Sequence, residues 1–138
     1  MAVRISANYR PSDKEPFMNA KQREYFRRKL MTWRDELMRE SQSTIQNLQQ
    51  VNEPASDIAD RASIETERSV ELRTRDRERK LIAKIDGALS RIEDGSYGYC
   101  EETDEPIGVK RLEARPIATL SVEAQEKHER MEKTHRED

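Results

Sequence analysis

Cysteine is almost missing from this sequence: Cys100 is the single thiol in 138 residues. An intramolecular disulfide is excluded, and a chain without such staples suits a reducing compartment, so a cytoplasmic location is expected. Glycine and proline are few, four and five, and aromatic residues make up 5%, so the many turns of a β-sandwich or barrel are not encoded. The longest apolar run is three residues, as in Leu81-Ile82-Ala83. Neither a membrane span nor the apolar region of a signal peptide is expected from that. A large excess of one charge is absent too. With 26 Lys and Arg against 28 Asp and Glu, the net charge is −2, which lacks the basic excess of a protein that grips nucleic acid through phosphates. Sequence-specific DNA binding is therefore not expected, and the partner is expected to be another protein.

What is plentiful is charge of both signs. Charged residues are 39% and apolar residues 33%, against roughly 25% and 45–50% in an ordinary globular domain. Long helices that bury a narrow stripe fit such a composition better than one compact core. Residues 1–18 read as a lead-in that docks on the rest, with Ile5, Tyr9 and Phe17 as anchors. Asn19 followed by Gln22 is a capping-box pattern. Phe26, Leu30, Trp33 and Leu37 then recur at steps of four, three and four, and Thr44, Leu48 and Val51 continue the seam. Helix one is predicted from Asn19 to Val51. Pro54 breaks the pattern, and Ser56 or Asp57 caps a second helix. Its apolar positions are sparse at first (Ile58, Ala62, Val70) and denser from Leu81 to Ile92, and Asp94-Gly95 stops it. Two such helices fold back as an antiparallel hairpin over 19–94, with its tip at about 52–60. Residues 95–120 suggest compact turns and a minimal hairpin around Ile107-Gly108-Val109, packed by Tyr97, Tyr99, Ile107, Leu112, Ile117 and Leu120. Residues 121–138 form a charged helix that Ser121 caps.

Catalytic apparatus is hard to find. The sequence has no glycine-rich phosphate loop, no Gly-x-Ser-x-Gly elbow and no His-Glu-x-x-His, so no enzyme is expected. His128 and His135 stand seven apart, too far for a helical metal pair, and read as solvated surface residues. Cys100-x-x-Thr103 and Ser121-x-x-Ala124 reproduce the spacing of a four-cysteine zinc site with three ligands replaced. Hydroxyls are poor zinc ligands and alanine is none, so no metal is expected there. Asp57 and Asp60 share a face at the hairpin tip and are open to two roles, capping the helix or reaching a cation in a partner's cleft. The run of Arg68, Arg73, Arg75, Arg77, Arg79 and Lys80 among Glu67, Glu71, Asp76 and Glu78 reads as a solvated face with i, i+4 pairs. Its other reading is a docking surface for an acidic partner.

The blocks Asp57–Ala62, Glu71–Ile82, Gly98-Tyr99-Cys100 and Arg111–Pro116 together resemble the DksA/TraR family, over about residues 17–125. The resemblance implies a mainly α fold, with a coiled-coil hairpin, a small zinc-finger-like domain in degenerate, metal-free form, and a C-terminal helix. It implies a bacterial transcription regulator, acting as a monomer, whose arm enters the secondary channel of RNA polymerase. With ppGpp as effector it represses rRNA promoters and activates some biosynthetic ones. Carried over by position, Asp57, Asp60 and Ala62 are tip residues near the polymerase active site, and Arg73 and Arg77 are docking residues. Leu81, Lys84, Arg115 and Gln125 are ppGpp-site residues. The family usually has Lys where this chain has Gln125, and Lys127 stands nearby. Of the zinc positions Cys100, Thr103, Ser121 and Ala124, only the first keeps its thiol, and the expectation is no metal and no resident cofactor. Two alternatives remain: a Gre-like transcript-cleavage factor, and a structural coiled-coil adaptor.

Overall fold

The computed structural model describes residues 3–50 and 58–137, and side-chain surroundings over 3–43 and 60–134. Four helices follow one another: α1 (Ala20–Gln50), α2 (Ile58–Asp94), α3 (Val109–Ala114) and α4 (Val122–Glu137). Among the described residues there is no strand, only one isolated antiparallel bridge between Tyr99 and Pro106. The chain divides into two compact units. Unit 1 combines Met1–Leu30 with Gly87–Asp138, and unit 2 is Met31–Asp86. The expected turn containing Pro54, with Val51 and the capping candidates Ser56 and Asp57, lies outside the described residues, as do the side chains of Thr44 and Leu48.

Unit 1 is anchored where α1 begins. The Asn19 side-chain oxygen accepts the Gln22 backbone N–H at 2.9 Å, which is half of the expected capping box. The return bond goes one residue further back, because Gln22 Oε1 accepts the N–H of Met18 at 2.8 Å. Met18 has φ 54°, which turns its amide toward Gln22. The Gln22 amide also donates to the Ser12 carbonyl at 3.2 Å and to Glu15 at 3.4 Å, and the residue is wholly buried. One side chain therefore starts the helix and ties down the lead-in.

The few aromatics are concentrated here. Tyr9, Tyr25, Phe26 and Tyr97 form a chain of ring contacts with centroids 5.2 to 6.1 Å apart, and Phe17 meets Tyr99 edge-on at 5.5 Å. Such tilted and T-shaped pairs add to the area they bury. Phe26, Leu30, Ala88, Ile92 and Leu112 lie in the same core, and the Tyr97 hydroxyl donates to the Pro116 carbonyl at 2.8 Å.

The end of α2 follows the local chemistry expected of it. Gly95 adopts φ 86°, and the amides of Ser96 and Tyr97 both donate to the Arg91 carbonyl. The hairpin that follows is displaced from its expected place. It closes through Ile107 N–H to Gly98 O and Cys100 N–H to Glu105 O, each 2.8 Å, so its turn is the acidic run 101–104 and not Ile107–Val109. Val109 instead opens the short helix α3, which periodicity had not announced. At α4 the Ser121 hydroxyl accepts the Ala124 N–H at 3.2 Å, as a cap does. The apolar side chains of Val122 and Met131 on this helix are exposed, and Ala124 is buried.

In unit 2 the two helices run antiparallel, marked by Arg34 Nε against Asp86 Oδ1 at 2.7 Å. Leu37 and Ile85 are buried. Further along α2 the inward face departs from expectation. Val70 is 49% exposed and Leu72 47%, whereas Arg68, Glu71 and Arg75 are half-buried and Glu78 is 6% exposed. Part of the charged run is thus seam and not solvated face. The phase is set from the denser apolar end, Ile82 and Ile85, and counting back in steps of three and four leads to the charges.

Candidate functional site

The degenerate knuckle of unit 1 is organised around one sulfur. Cys100 is 1% exposed. Burial pushes its thiol up, but the Thr103 hydroxyl and backbone amides of Ser121, Thr103 and Glu102 outweigh this and bring it down to about 6. Hydrogen bonds to a charged form favour that form. Three of the four zinc-spaced positions take part: Cys100 as acceptor, Thr103 through its side chain, and Ser121 through its backbone. Ala124, the fourth, is buried. Among the described residues no three His, Cys, Asp or Glu side chains gather as a metal cluster. His128, on α4, contacts Glu102 through Nε2 and is half exposed.

Other site candidates belong to unit 2. Asp60 lies in the first turn of α2, and it and Ala62 are exposed. Asp57 lies outside the described residues, so the structure does not address its shared face with Asp60. Arg73 and Arg77 are both exposed and, four apart, occupy one side of α2. The same outward line takes in Val70, Lys80 and Lys84 at steps of three and four, all exposed. Docking and effector candidates thereby share a stripe of four cations headed by an apolar residue. Lys80 belongs to the basic run whose other reading is a docking surface, whereas Val70 was not singled out as a site residue. The signal for Val70 was its spacing from Arg73 and Arg77, hidden because it reads as a seam residue. Leu81 is half-buried.

Arg115 and Gln125 are placed in unit 1. Arg115 is the exposed C-cap of α3, its N–H bonded to the Arg111 carbonyl at 2.8 Å. Gln125 is half-buried on α4 and donates to Glu129 at 3.3 Å, while Lys127 is exposed. Beside α3, Lys29 bonds both the backbone and the carboxylate of Glu113, at 3.0 and 2.7 Å. That ties α1 to the helix that presents Arg115.

Residues 22–92 match the family described as DnaK suppressor protein DksA, N-terminal domain. The chain belongs to the DksA family. Residues 95–130 match the prokaryotic dksA/traR C4-type zinc finger. A protein named RNA polymerase-binding transcription factor DksA from Caulobacter vibrioides is 65% identical over 132 residues, covering 96% of this chain and 93% of the relative. The protein of the same name from Escherichia coli K12 is 45% identical over 115 residues, covering 83% and 76%. The solved structure of transcription factor DksA2 from Pseudomonas aeruginosa aligns with a TM-score of 0.80 at 42% identity, covering 87% of this chain and 95% of that one.

The zinc-finger match corrects the expectation of no cofactor, because it brings zinc to this region of the DksA family. The donor set on this chain does not fit a four-thiolate site. Cys100 supplies one thiol, Thr103 and Ser121 have hydroxyls engaged in local hydrogen bonds, and Ala124 has no donor. Among the described residues no helix is long and apolar enough to cross a membrane.

Proposed function

We propose that this chain is a bacterial transcription regulator that binds RNA polymerase through its secondary channel and, with ppGpp, modulates initiation. The observation that carries the reading is the outward stripe of Arg73, Arg77, Lys80 and Lys84, headed by exposed Val70, on a chain 65% identical to a protein named for polymerase binding. A row of cations at helical spacing favours an acidic protein surface and speeds the encounter with it. In this reading 1–18 packs on the globular part and 19–94 is the hairpin. Residues 95–120 are a zinc-finger-like region, and 121–138 is the C-terminal helix. Asp57, Asp60 and Ala62 act at the tip, Arg73 and Arg77 dock, and Leu81, Lys84, Arg115 and Gln125 meet ppGpp at the polymerase interface. The protein works as a cytoplasmic monomer, without catalysis of its own and without reading DNA sequence.

The test is transcription in vitro with purified polymerase on an rRNA promoter, with and without this protein and ppGpp. Inhibition that deepens with ppGpp is expected. Asp60→Asn removes one charge at an exposed first-turn position, where the helix loses at most about 1 kcal/mol. That variant is expected to fold and bind polymerase but to lose most of its inhibition. Equal inhibition at equal occupancy would reduce Asp60 to a helix-start residue, and stimulated transcript cleavage would favour the Gre-like alternative.

A further inference from the structure

On α2 in unit 2, the buried and half-buried positions between Ile64 and Ile82 include Arg68, Glu71, Arg75 and Glu78, at alternating steps of three and four. Positions with that recurrence face a partner helix, and apolar residues there hold a two-helix seam together. Here four in succession are charged. Glu78 is 6% exposed and its Oε2 is buried without a hydrogen-bond partner. One carboxylate oxygen of Glu71, a full heptad away, is buried and unpartnered in the same way. An acceptor taken from water and given no donor opposes the packing that buried it. Further along, Leu37 and Ile85 restore an apolar seam near the Arg34–Asp86 pair. Apolar packing thus holds unit 2 at that end, while Glu71 and Glu78 oppose their own burial in the charged stretch.

We propose that residues 66–79 of α2 form a built-in weak section. There α2 leaves its seam by local opening while the Ile85–Ile92 turns and unit 1 stay folded. Local openings of this kind need far less free energy than global unfolding, and hydrogen exchange reports them. The section lets unit 2 adjust its shape when a partner encloses it, because the buried carboxylate oxygens of Glu71 and Glu78 regain water when the helices part there.

Hydrogen exchange of the full-length chain tests this without any partner. Amides of 66–79 are expected to exchange at least roughly tenfold faster, after correction for intrinsic rates, than those of 85–92. In Glu71→Leu/Glu78→Leu the 66–79 amides should slow by about tenfold or more, with 20–30 and 107–118 unchanged. Glu67→Leu adds the same side chain on the exposed side and should slow nothing, which separates seam repair from added helix propensity. Glu78→Gln keeps the shape and removes the charge, so it should give an intermediate slowing even if the double variant self-associates. Uniform protection along wild-type α2 would overturn the proposal. So would an unchanged or faster exchange of 66–79 in the seam variants, or equal slowing by Glu67→Leu.

Discussion

Gln22 bonds to Met18, to Ser12 and to Glu15 while its own amide is held by Asn19. Truncation to Ala would leave the buried Met18 N–H and the half-buried Ser12 carbonyl without partners, and an unmatched buried group costs about 1–3 kcal/mol. Gln22→Ala is expected to lower stability by about that amount in urea titration, and to expose the 3–18 segment to protease before the rest of the chain. Glu24 offers a second residue-level test. Bidentate bonding from Arg27 draws its carboxyl down to about 2, burial opposes this, and Arg28 adds to the lowering. A folded-state value below the unfolded one means the carboxylate stabilises the fold above about 4.5, and that this contribution is lost as pH falls toward 2. Both arginines are half exposed, which limits this contribution to about 1 kcal/mol. Glu24→Gln should lower stability at neutral pH by that amount and flatten the stability-against-pH curve between 4.5 and 2. A pH series of denaturant melts reads both effects.

Elements differ in how much of them the sequence states in advance. The start of α1, the stop of α2 at Gly95 and the cap of α4 at Ser121 rest on side chains within a few residues of the backbone groups they satisfy, so local reading found them. The inward face of α2 depends on a helix phase that propagates from Ile82 and Ile85. Reading Val70 as a seam residue reversed the roles of seam and surface over the middle of the helix. Helix α3 carries only six residues, too few to show a period, and it forms because Leu112 and Val109 find a core built by distant segments. Of the candidate site, the cations of α2 were legible as a run, but not which of them faces outward. The outward stripe predicts that Arg73→Ala and Arg77→Ala each weaken polymerase binding by roughly tenfold at low salt while leaving helix content unchanged. The loss should shrink as salt screens the wild-type interaction. Arg75→Ala, on the half-buried side, should alter stability more than binding. Competition binding alongside circular dichroism separates the three variants.

The whole molecule distributes its effector candidates, Leu81 and Lys84 in unit 2 and Arg115 and Gln125 in unit 1. Gln125 brings no charge, so under the proposed function a response to ppGpp would fall on Lys84 and Arg115, the latter able to grip phosphate bidentately. Gln125→Lys is expected to shift half-maximal inhibition to several-fold lower ppGpp in the transcription assay, and Arg115→Ala to shift it upward. No response to the first and full loss from the second would place Gln125 outside the effector site.

Unit 1 draws on two stretches of chain, Met1–Leu30 and Gly87–Asp138, and the consequence falls on synthesis. A ribosome makes Phe26 long before Tyr97, the ring that it meets at 5.8 Å. Met18 precedes Gly98, where a side chain would strike Met18 Cγ at 3.0 Å. Through most of translation the first thirty residues therefore have no core to enter, and apolar side chains without their partners are what holding chaperones bind. The segment up to Leu30 is thus secured only after a later stretch, from Gly87 onward, has been made.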